Sequence, residues 1–457
     1  MAAEEQIVTS PYDGAEVGRV PKQGAADVER AVSAALPAVG ALPPWRRAEV
    51  LDAVAAELRR REDDLARTIA AEAAKPIKTA RVEVQRAVGT FTFAAAAART
   101  LTGDVVPIEA SDNGEGKIAF TLRVPAGVVG AITPFNFPLN LVAHKVAPAI
   151  AAGCPIVVKP AGQTPLSALL LQEIVLGCGL PPEHLAVVTG SGSTVGEALV
   201  GHDDVAVLTF TGSGPVGWSV RAKAPRKKVS LELGNNAPLI VHADGDWETA
   251  AAKVKVAGFS HAGQSCISTQ RIYVHRSVHD DFVALLAEHV RSLVVGDPMD
   301  EATDVSALIS PEDTERVRSW IDEAASGGAD VAVGGEVDGT VLRPTVLTGV
   351  EPDMKVSAEE VFGPVVGVQA YDDVDEALRL ADESRYGLQA AIFTRDIGLA
   401  LRAARELHYG GVLVNEVPTF RADQMPYGGV RDSGNTKEGP AYAVREMTEE
   451  RLVVIQP

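Results

Sequence analysis

The sequence predicts an α/β protein with two doubly wound parallel-sheet domains and a small additional β element. Three observations predict it. From residue 127 onward, short unbroken apolar segments alternate with helical ones, the pattern of parallel strands covered on both faces. The alternation begins again after Gly234-Asn235-Asn236, so a second unit starts there. The chain has 457 residues, 46% apolar and 23% charged, an ordinary globular composition with length for two to four domains.

Ahead of that alternation, segments 25–36, 46–74 and 77–101 carry Ala, Leu, Val, Glu and Arg at helical spacing and read as helices. Pro43-Pro44 and Pro76 separate them, and the charge pairs of the middle stretch read as a solvated face. Segment 127–133 is apolar and β-branched, hence a strand, and 139–152 a helix. Strand 155–159, helix 165–176, strand 186–189, a short helix at 195–200, strand 205–211, helix 214–224 and strand 228–233 complete the first unit. The second unit has expected strands at 238–241, 271–275, 331–333, 365–370, 390–394 and 412–415. Helices at 246–260, 278–295, 311–325, 374–384 and 397–407 lie between them. Two segments fit neither unit: 117–124 (KIAFTLRV), after the polar turn SDNGEG, and the C-terminal 449–457 (EERLVVIQP). Isolated strands are marginal alone. Pairing with another subunit would satisfy their edges, which points to a homodimer or homotetramer; folding back on their own domain is the alternative.

Charge excludes several classes. With 42 Lys+Arg against 61 Asp+Glu, the net charge is −19. Phosphate backbones need clustered cations, so no nucleic-acid partner is expected, and anionic membranes are repelled at long range. No apolar run approaches the roughly 18–20 residues of a spanning helix. The start, MAAEEQIVTS, lacks the basic and apolar regions of a secretory signal. Cys154, Cys178 and Cys266 form no even disulfide framework and no CxxC, which suits a reducing cytoplasm. The sequence shows no metal-ligand cluster.

A few residues stand out chemically. Cys154 and Cys178 lie in apolar, glycine-flanked contexts and read as small core residues. Cys266 sits in the polar, small-residue stretch HAGQSCISTQ, as a buried free thiol or as a nucleophile. A thiol of pKa about 8.5 is only a few per cent ionised at neutral pH, so a nucleophile needs activating partners. Glu232 ends an apolar strand, where a carboxylate is costly unless paired or used. Lys227 and Lys228 lie four or five residues away along an extended strand, too far for a direct pair. Asn136 follows a strand and precedes a helix, at the sheet edge where open α/β sheets bind ligands. It is either a turn residue before Phe137-Pro138 or a donor to a developing oxyanion. Lys159 ends its strand, as a snorkelling edge lysine or a ligand for ribose or phosphate. Gly212, Gly214 and Gly217 make GxGxxG between a strand and a helix, the context in which that motif receives a pyrophosphate.

Together these residues resemble the aldehyde dehydrogenase superfamily from about residue 5 to the C-terminus. The matching motifs are TPFNFP (133–138), VVKPAGQTP (157–165), FTGS (210–213), LELG (231–234), GQSC (263–266), EEVFGPV (359–365), VN (414–415) and PYGGVRDSG (426–434). The resemblance implies a Rossmann-like dinucleotide domain (1–106 and 125–234), a catalytic domain (235–438) and oligomerisation strands (107–124 and 439–457). It implies NAD- or NADP-dependent oxidation of an aldehyde to a carboxylic acid. Cys266 forms a thiohemiacetal and then a thioester, Asn136 and the Cys266 amide hold the oxyanion, and Glu232 activates the hydrolytic water. Lys159 is the implied adenosine-ribose ligand, Gly212, Ser213 and Gly217 border the pyrophosphate, and Glu360 and Phe362 serve the nicotinamide end. Ile132, Thr133, Pro134, Phe135 and Leu233 line the cofactor. Phe137, His144, Ser265, Ile267, Phe420 and Arg421 are the implied substrate pocket. His144 reads equally as a satisfied helix histidine, and Arg421 as a surface or interface arginine or as the captor of an anionic substrate group. The likeness is nearest to members that take small hydroxylated or acidic aldehydes, such as lactaldehyde, succinate semialdehyde or sulfonated analogues. A coenzyme A-acylating enzyme, which needs no hydrolytic base, and an idle binding protein on the same fold are the alternatives. Three departures stand out. Gly162 replaces the glutamate with which many members exclude NADP, Asn235-Asn236 replaces Gly-Lys, and SGNTKEG replaces SGxGREG.

Overall fold

The computed structural model describes residues 4–457. A parallel five-stranded sheet has the order Leu185–Val187, Ile156–Lys159, Val128–Ile132, Val205–Thr211, Lys228–Glu232. Sequence order runs outward in both directions from Val128–Ile132, so the topology switches between that strand and Val205–Thr211. The crevice at their C-terminal ends is where such sheets take ligands. Both faces are covered, which is why Val129, Val158, Leu208 and Leu231 are buried without polar alternation. Helix Asn140–Ala152, buried along its whole length, lies on one face against helix Ile77–Thr100.

The second sheet has seven strands in the order Asp330–Val333, Thr345–Thr348, Val365–Tyr371, Thr269–His275, Ala237–Val241, Gln389–Phe393, Gly411–Val414. All pairs are parallel except the first, an antiparallel edge that departs from the all-parallel expectation. Thr345–Thr348 has no counterpart in the sequence reading. It is four residues long, with Pro344 before it and Gly349 after it, too little for a periodicity.

Four further differences have physical causes. The N-terminus is a β-hairpin, Glu5–Thr9 with Glu16–Pro21, ahead of the first helix. The helix expected over 46–74 is two, Pro44–Arg60 and Glu62–Ala73, parted at Arg61. The charged face of this region is not all solvated: Glu72, Lys75 and Glu83 are buried and bonded to one another or to backbone. The two apparently isolated strands are not isolated. Ile118–Pro125 and Thr448–Ile455 pair antiparallel over eight residues, with Val105–Val106 on the other side. The chain therefore pairs Ile118–Pro125 on both edges and Thr448–Ile455 on one, and Thr448–Ile455 remains a sheet edge.

Candidate active site

Local folding brings three of the predicted residues to one cavity. Strand Val128–Ile132 ends in a non-helical turn that carries Pro134, Phe135 and Asn136 before the helix at Asn140. Glu232 is the last residue of the sheet-edge strand Lys228–Glu232. Cys266 lies between the turn Ser260–Gly263 and strand Thr269–His275. All three line a cavity of about 350 Å³, with Gly212, Ser213, Leu233, Glu360 and Phe362 also in its wall.

The segment feeding Cys266 is conformationally unusual. His261, Ala262 and Gly263 have consecutive left-handed φ values of 50°, 54° and 69°. For non-glycine residues this is strained and persists only where the surroundings impose it. A side chain at Gly263 would run into the carbonyl of Gly363. Phe362, opposite, also has a positive φ of 47°, and its ring meets Phe135 edge-on at 5.8 Å.

The Asn136 turn is held from below. The buried Lys75 ammonium pairs with Glu83 and donates to Asn136 O at 2.6 Å. Glu83 Oε1 accepts from the amides of Leu139 (2.9 Å) and Asn140 (3.0 Å), so one helix caps the start of another. Asn136 Nδ2 gives one hydrogen to Gln264 O at 2.9 Å and keeps a second for the cavity. The same bond ties the turn to the loop of Cys266.

Electrostatics favour neutral forms at rest. Burial pushes the Cys266 thiol up to about 12, against the help of Tyr427 and Arg421. Burial, and next the neighbouring Glu438, hold Glu232 well above the ordinary carboxylate range. Both Glu232 carboxylate oxygens lack a protein hydrogen bond. Glu360 is raised to about 7 by burial although it accepts from the Asn235 amide at 3.0 Å.

The wall fits a dinucleotide. Gly212 lies against the Phe210 ring and Gly217 against Leu233, leaving no room for a side chain at either. The ten-residue helix Gly214–Lys223 starts at Ser213, whose side chain does not cap it, so its amide end is free for an anion. Thr211 Oγ1 is buried without a partner. Lys159 pairs with Ile132 in register, and burial lowers its pKa; among the described residues no carboxylate forms a salt bridge with it. Thr133 N donates to Lys159 O at 3.1 Å. Gly162 accepts from Gln6 Nε2 at 2.6 Å through its carbonyl.

The residues implied for a substrate pocket are less united. Phe137 stacks under Lys75 at 3.8 Å. Ile267 is buried with Leu388 and Tyr427, and Cys266 and Met425 pack on them. Ser265 Oγ lies 3.5 Å from the Ile267 amide. Phe420 is 50% exposed and does not line the cavity. Arg421 is no surface arginine. Its side chain is 5% exposed, paired with Glu438 at 2.9 Å and stacked 3.7 Å from the Tyr427 ring centroid. His144 is buried, with Nε2 near Thr90 (3.2 Å), Asp423 (3.0 Å) and Arg421 (3.2 Å), and Nδ1 unpartnered. Burial, and then Arg421, keep it neutral.

Sequence reasoning missed Lys75, Glu83 and Tyr427. Tyr427 lies inside the motif PYGGVRDSG, but nothing local shows that its hydroxyl reaches Cys266 Sγ at 2.9 Å. The departures acquire roles. Asn435 covers the open edge of the Glu232 strand, accepting from Leu231 N at 2.8 Å and donating to Val229 O at 3.0 Å. Asn236 bridges to Ser357 O (2.9 Å) and accepts from Ser384 Oγ (2.8 Å), fixing the crossover between sheets.

A dinucleotide-type crevice that opens on a half-buried thiol and an unpartnered carboxyl defines a class, the nucleotide-linked oxidoreductases with a cysteine at the site. The aldehyde dehydrogenase family model matches residues 1–453, and the chain belongs to that family. It is 47% identical over 454 residues to the 3-sulfolactaldehyde dehydrogenase of Priestia megaterium, covering 99% of this chain and 95% of the relative. Aldehyde dehydrogenase 21 of Physcomitrella patens, solved with its reaction product succinate, superposes with a TM-score of 0.96 at 39% identity, covering 99% of this chain and 95% of that one. A glyceraldehyde-3-phosphate dehydrogenase of Methanocaldococcus jannaschii complexed with NADP gives 0.96 at 37% identity over the whole of both chains. The protein is therefore an oxidoreductase acting on aldehydes, with NAD or NADP as acceptor.

Proposed function

We propose that this chain oxidises a small hydroxylated or acidic aldehyde to the free carboxylic acid, with Cys266 as nucleophile, Asn136 as oxyanion donor and Glu232 as general base. The observation that carries this reading is the convergence of all three on one cavity beside the Gly212–Gly217 turn. Cys266 Sγ adds to the aldehyde carbon, and the free Asn136 Nδ2 hydrogen, with the Cys266 amide, meets the oxygen where charge develops. The nicotinamide supplies the two-electron acceptor when bound, with Lys159, Gly212, Ser213, Gly217 and Glu360 holding the dinucleotide. In its ionised form Glu232, which has no other protein hydrogen bond, takes a proton from the water that opens the thioester, a contribution of about 10²–10⁴-fold. A hydrolytic base in place supports a free acid over an acyl-coenzyme A product.

The substrate class is supported by the likeness to a 3-sulfolactaldehyde dehydrogenase and to an enzyme solved with succinate. Absence of a carboxylate at Gly162 is compatible with NADP as well as NAD. We further propose domains at 1–106 with 125–234, and 235–438, with 107–124 and 439–457 serving a homodimer or homotetramer. Exposed Leu452, Val454 and Ile455 on the outer strand support that association. A cytoplasmic location suits three free cysteines; among the described residues no helix is long and apolar enough to cross a membrane.

Reduced-nicotinamide absorbance, followed with lactaldehyde, sulfolactaldehyde, succinate semialdehyde, hexanal and benzaldehyde under NAD and NADP, tests the reading. Wild type turns over the first three in preference to the last two, and Cys266→Ala turns over none. Glu232→Gln gives about one equivalent of reduced cofactor per site and then stalls. Turnover by Cys266→Ala would overthrow the mechanism, and equal rates with hexanal the substrate class.

A further inference from the structure

Tyr427 has no part in the mechanism above, yet it makes the closest polar approach to the nucleophile. Its hydroxyl lies 2.9 Å from Cys266 Sγ. The ring is 2% exposed and wedged against Ile267 and Leu388, so it cannot swing away without repacking. The backbone is pinned as well, with Tyr427 N donating to Glu438 O at 3.2 Å. On the ring face sits the Arg421 guanidinium, 3.7 Å from the centroid. Arg421 is held by Glu438 at 2.9 Å, and Glu438 by Lys145 at 3.1 Å. Arg421 and Lys145 are balanced by Glu438 and Asp423, so the guanidinium acts on the phenol by its place on the ring face and not by a net charge. The other charged groups facing Cys266 are the carboxyls of Glu232 and Glu360, which oppose ionisation of the thiol.

We propose that Tyr427 is a catalytic hydrogen-bond donor to the Cys266 thiolate, and that Arg421 is a positioning residue that locks the ring and polarises it from its face. The inference rests on the reading of Cys266 as the nucleophile. While the sulfur is a thiol, either atom can donate. Once the proton has left, only the phenol can. A donor to a thiolate favours the charged form, and a cation over an aromatic face is held more strongly in a dry site than at a surface. The phenol keeps its own proton, because burial, and then Cys266, hold its ionisation well above its ordinary 10. The arrangement thus supplies a donor where a half-buried thiol has no cationic partner in direct contact.

Site-resolved alkylation of the full-length protein with iodoacetamide, read at the Cys266 peptide by mass spectrometry, tests this without any aldehyde. Separate readout of Cys154 and Cys178 keeps them from contributing. In Tyr427→Phe alkylation of Cys266 at pH 7.5 should slow about tenfold, the equivalent of thiol ionisation made harder by about one pH unit. The kcat/KM for aldehyde should fall by a similar factor while the thermal midpoint stays within a few degrees. Arg421→Lys, which keeps the charge but loses the planar stack, should slow alkylation about threefold. Unchanged or faster alkylation of Cys266 in Tyr427→Phe overturns the proposal. Should that variant lose cooperative unfolding, unchanged alkylation in Arg421→Lys does so. Failure of the underlying reading shows separately, as aldehyde turnover by Cys266→Ala.

Discussion

Glu360 shows how far a single residue at this site is poised between roles. Its carboxyl sits in the cavity wall, its ordinary 4.5 raised to about 7 by burial. A carboxyl raised on folding contributes stability that is fully present below pH 4.5 and lost as pH rises through 7. The full displacement corresponds to about 3 kcal/mol, and water in the cavity reduces it. Glu360→Gln keeps the acceptor for the Asn235 amide and removes the charge. The variant should therefore gain thermal stability relative to wild type at pH 8 and show little difference at pH 4.5, measured by unfolding scans across that range. A constant difference at all pH values would mean that Glu360 is not raised. The residues proposed to carry chemistry differed in how legible they were. Glu232 ends a strand, while Cys266 and Asn136 lie in short loops beside one, each within a short motif, so local sequence marks them. Tyr427, Arg421 and Glu438 meet only through tertiary packing, and an arginine in a polar loop reads as a surface group until its buried partner is known.

At the scale of elements, the core of each α/β unit was readable because strands buried on both faces are continuous apolar runs. Val205–Thr211 falls where the apolar run places it. What failed were edges and short pieces: the N-terminal hairpin, Thr345–Thr348, and the split at Arg61, where burial is one-sided and four to six residues carry little period. The helix Ile77–Thr100 was placed within a residue at its C-terminal end, but the role of its charged face was not. Helical spacing marks Glu83 as polar; only the fold shows that it enters the interior to meet Lys75 and two free amides of the next helix. Removing it strands a buried ammonium and orphans those amides. Glu83→Ala should cost about 3–5 kcal/mol, as for other broken buried pairs, read from denaturant midpoints. Because Lys75 also holds the Asn136 carbonyl, kcat should fall even where the variant remains folded. A loss below 1 kcal/mol would show that water reaches the pair.

At the scale of the whole molecule, the three larger sheets are one construction. The five-stranded sheet supplies Asn136 and Glu232, the seven-stranded sheet Cys266 and Glu360, and the segment 426–438 crosses back to place Tyr427 and Glu438 between them. The same C-terminal stretch then runs on through the helix Pro440–Glu446 into Thr448–Ile455, whose inner edge pairs with Ile118–Pro125. Its outer edge is an unpaired row of amides and carbonyls with Leu452 56% exposed and Val454 46% exposed. An open edge with apolar side chains invites pairing, and native proteins block it with charge, a bulge or a partner. Glu449, Glu450 and Arg451 charge the start of the strand, but the end, LVVI, carries no such block. The proposed homo-oligomer would cover that edge. Sedimentation should find wild type above its 47.8 kDa monomer mass. Leu452→Lys with Val454→Lys should raise the dissociation constant at least tenfold while circular dichroism stays unchanged, since both side chains lie outside the core. If the double variant sediments as wild type does, the subunits meet elsewhere, and the strand serves only to close the chain's own sheet.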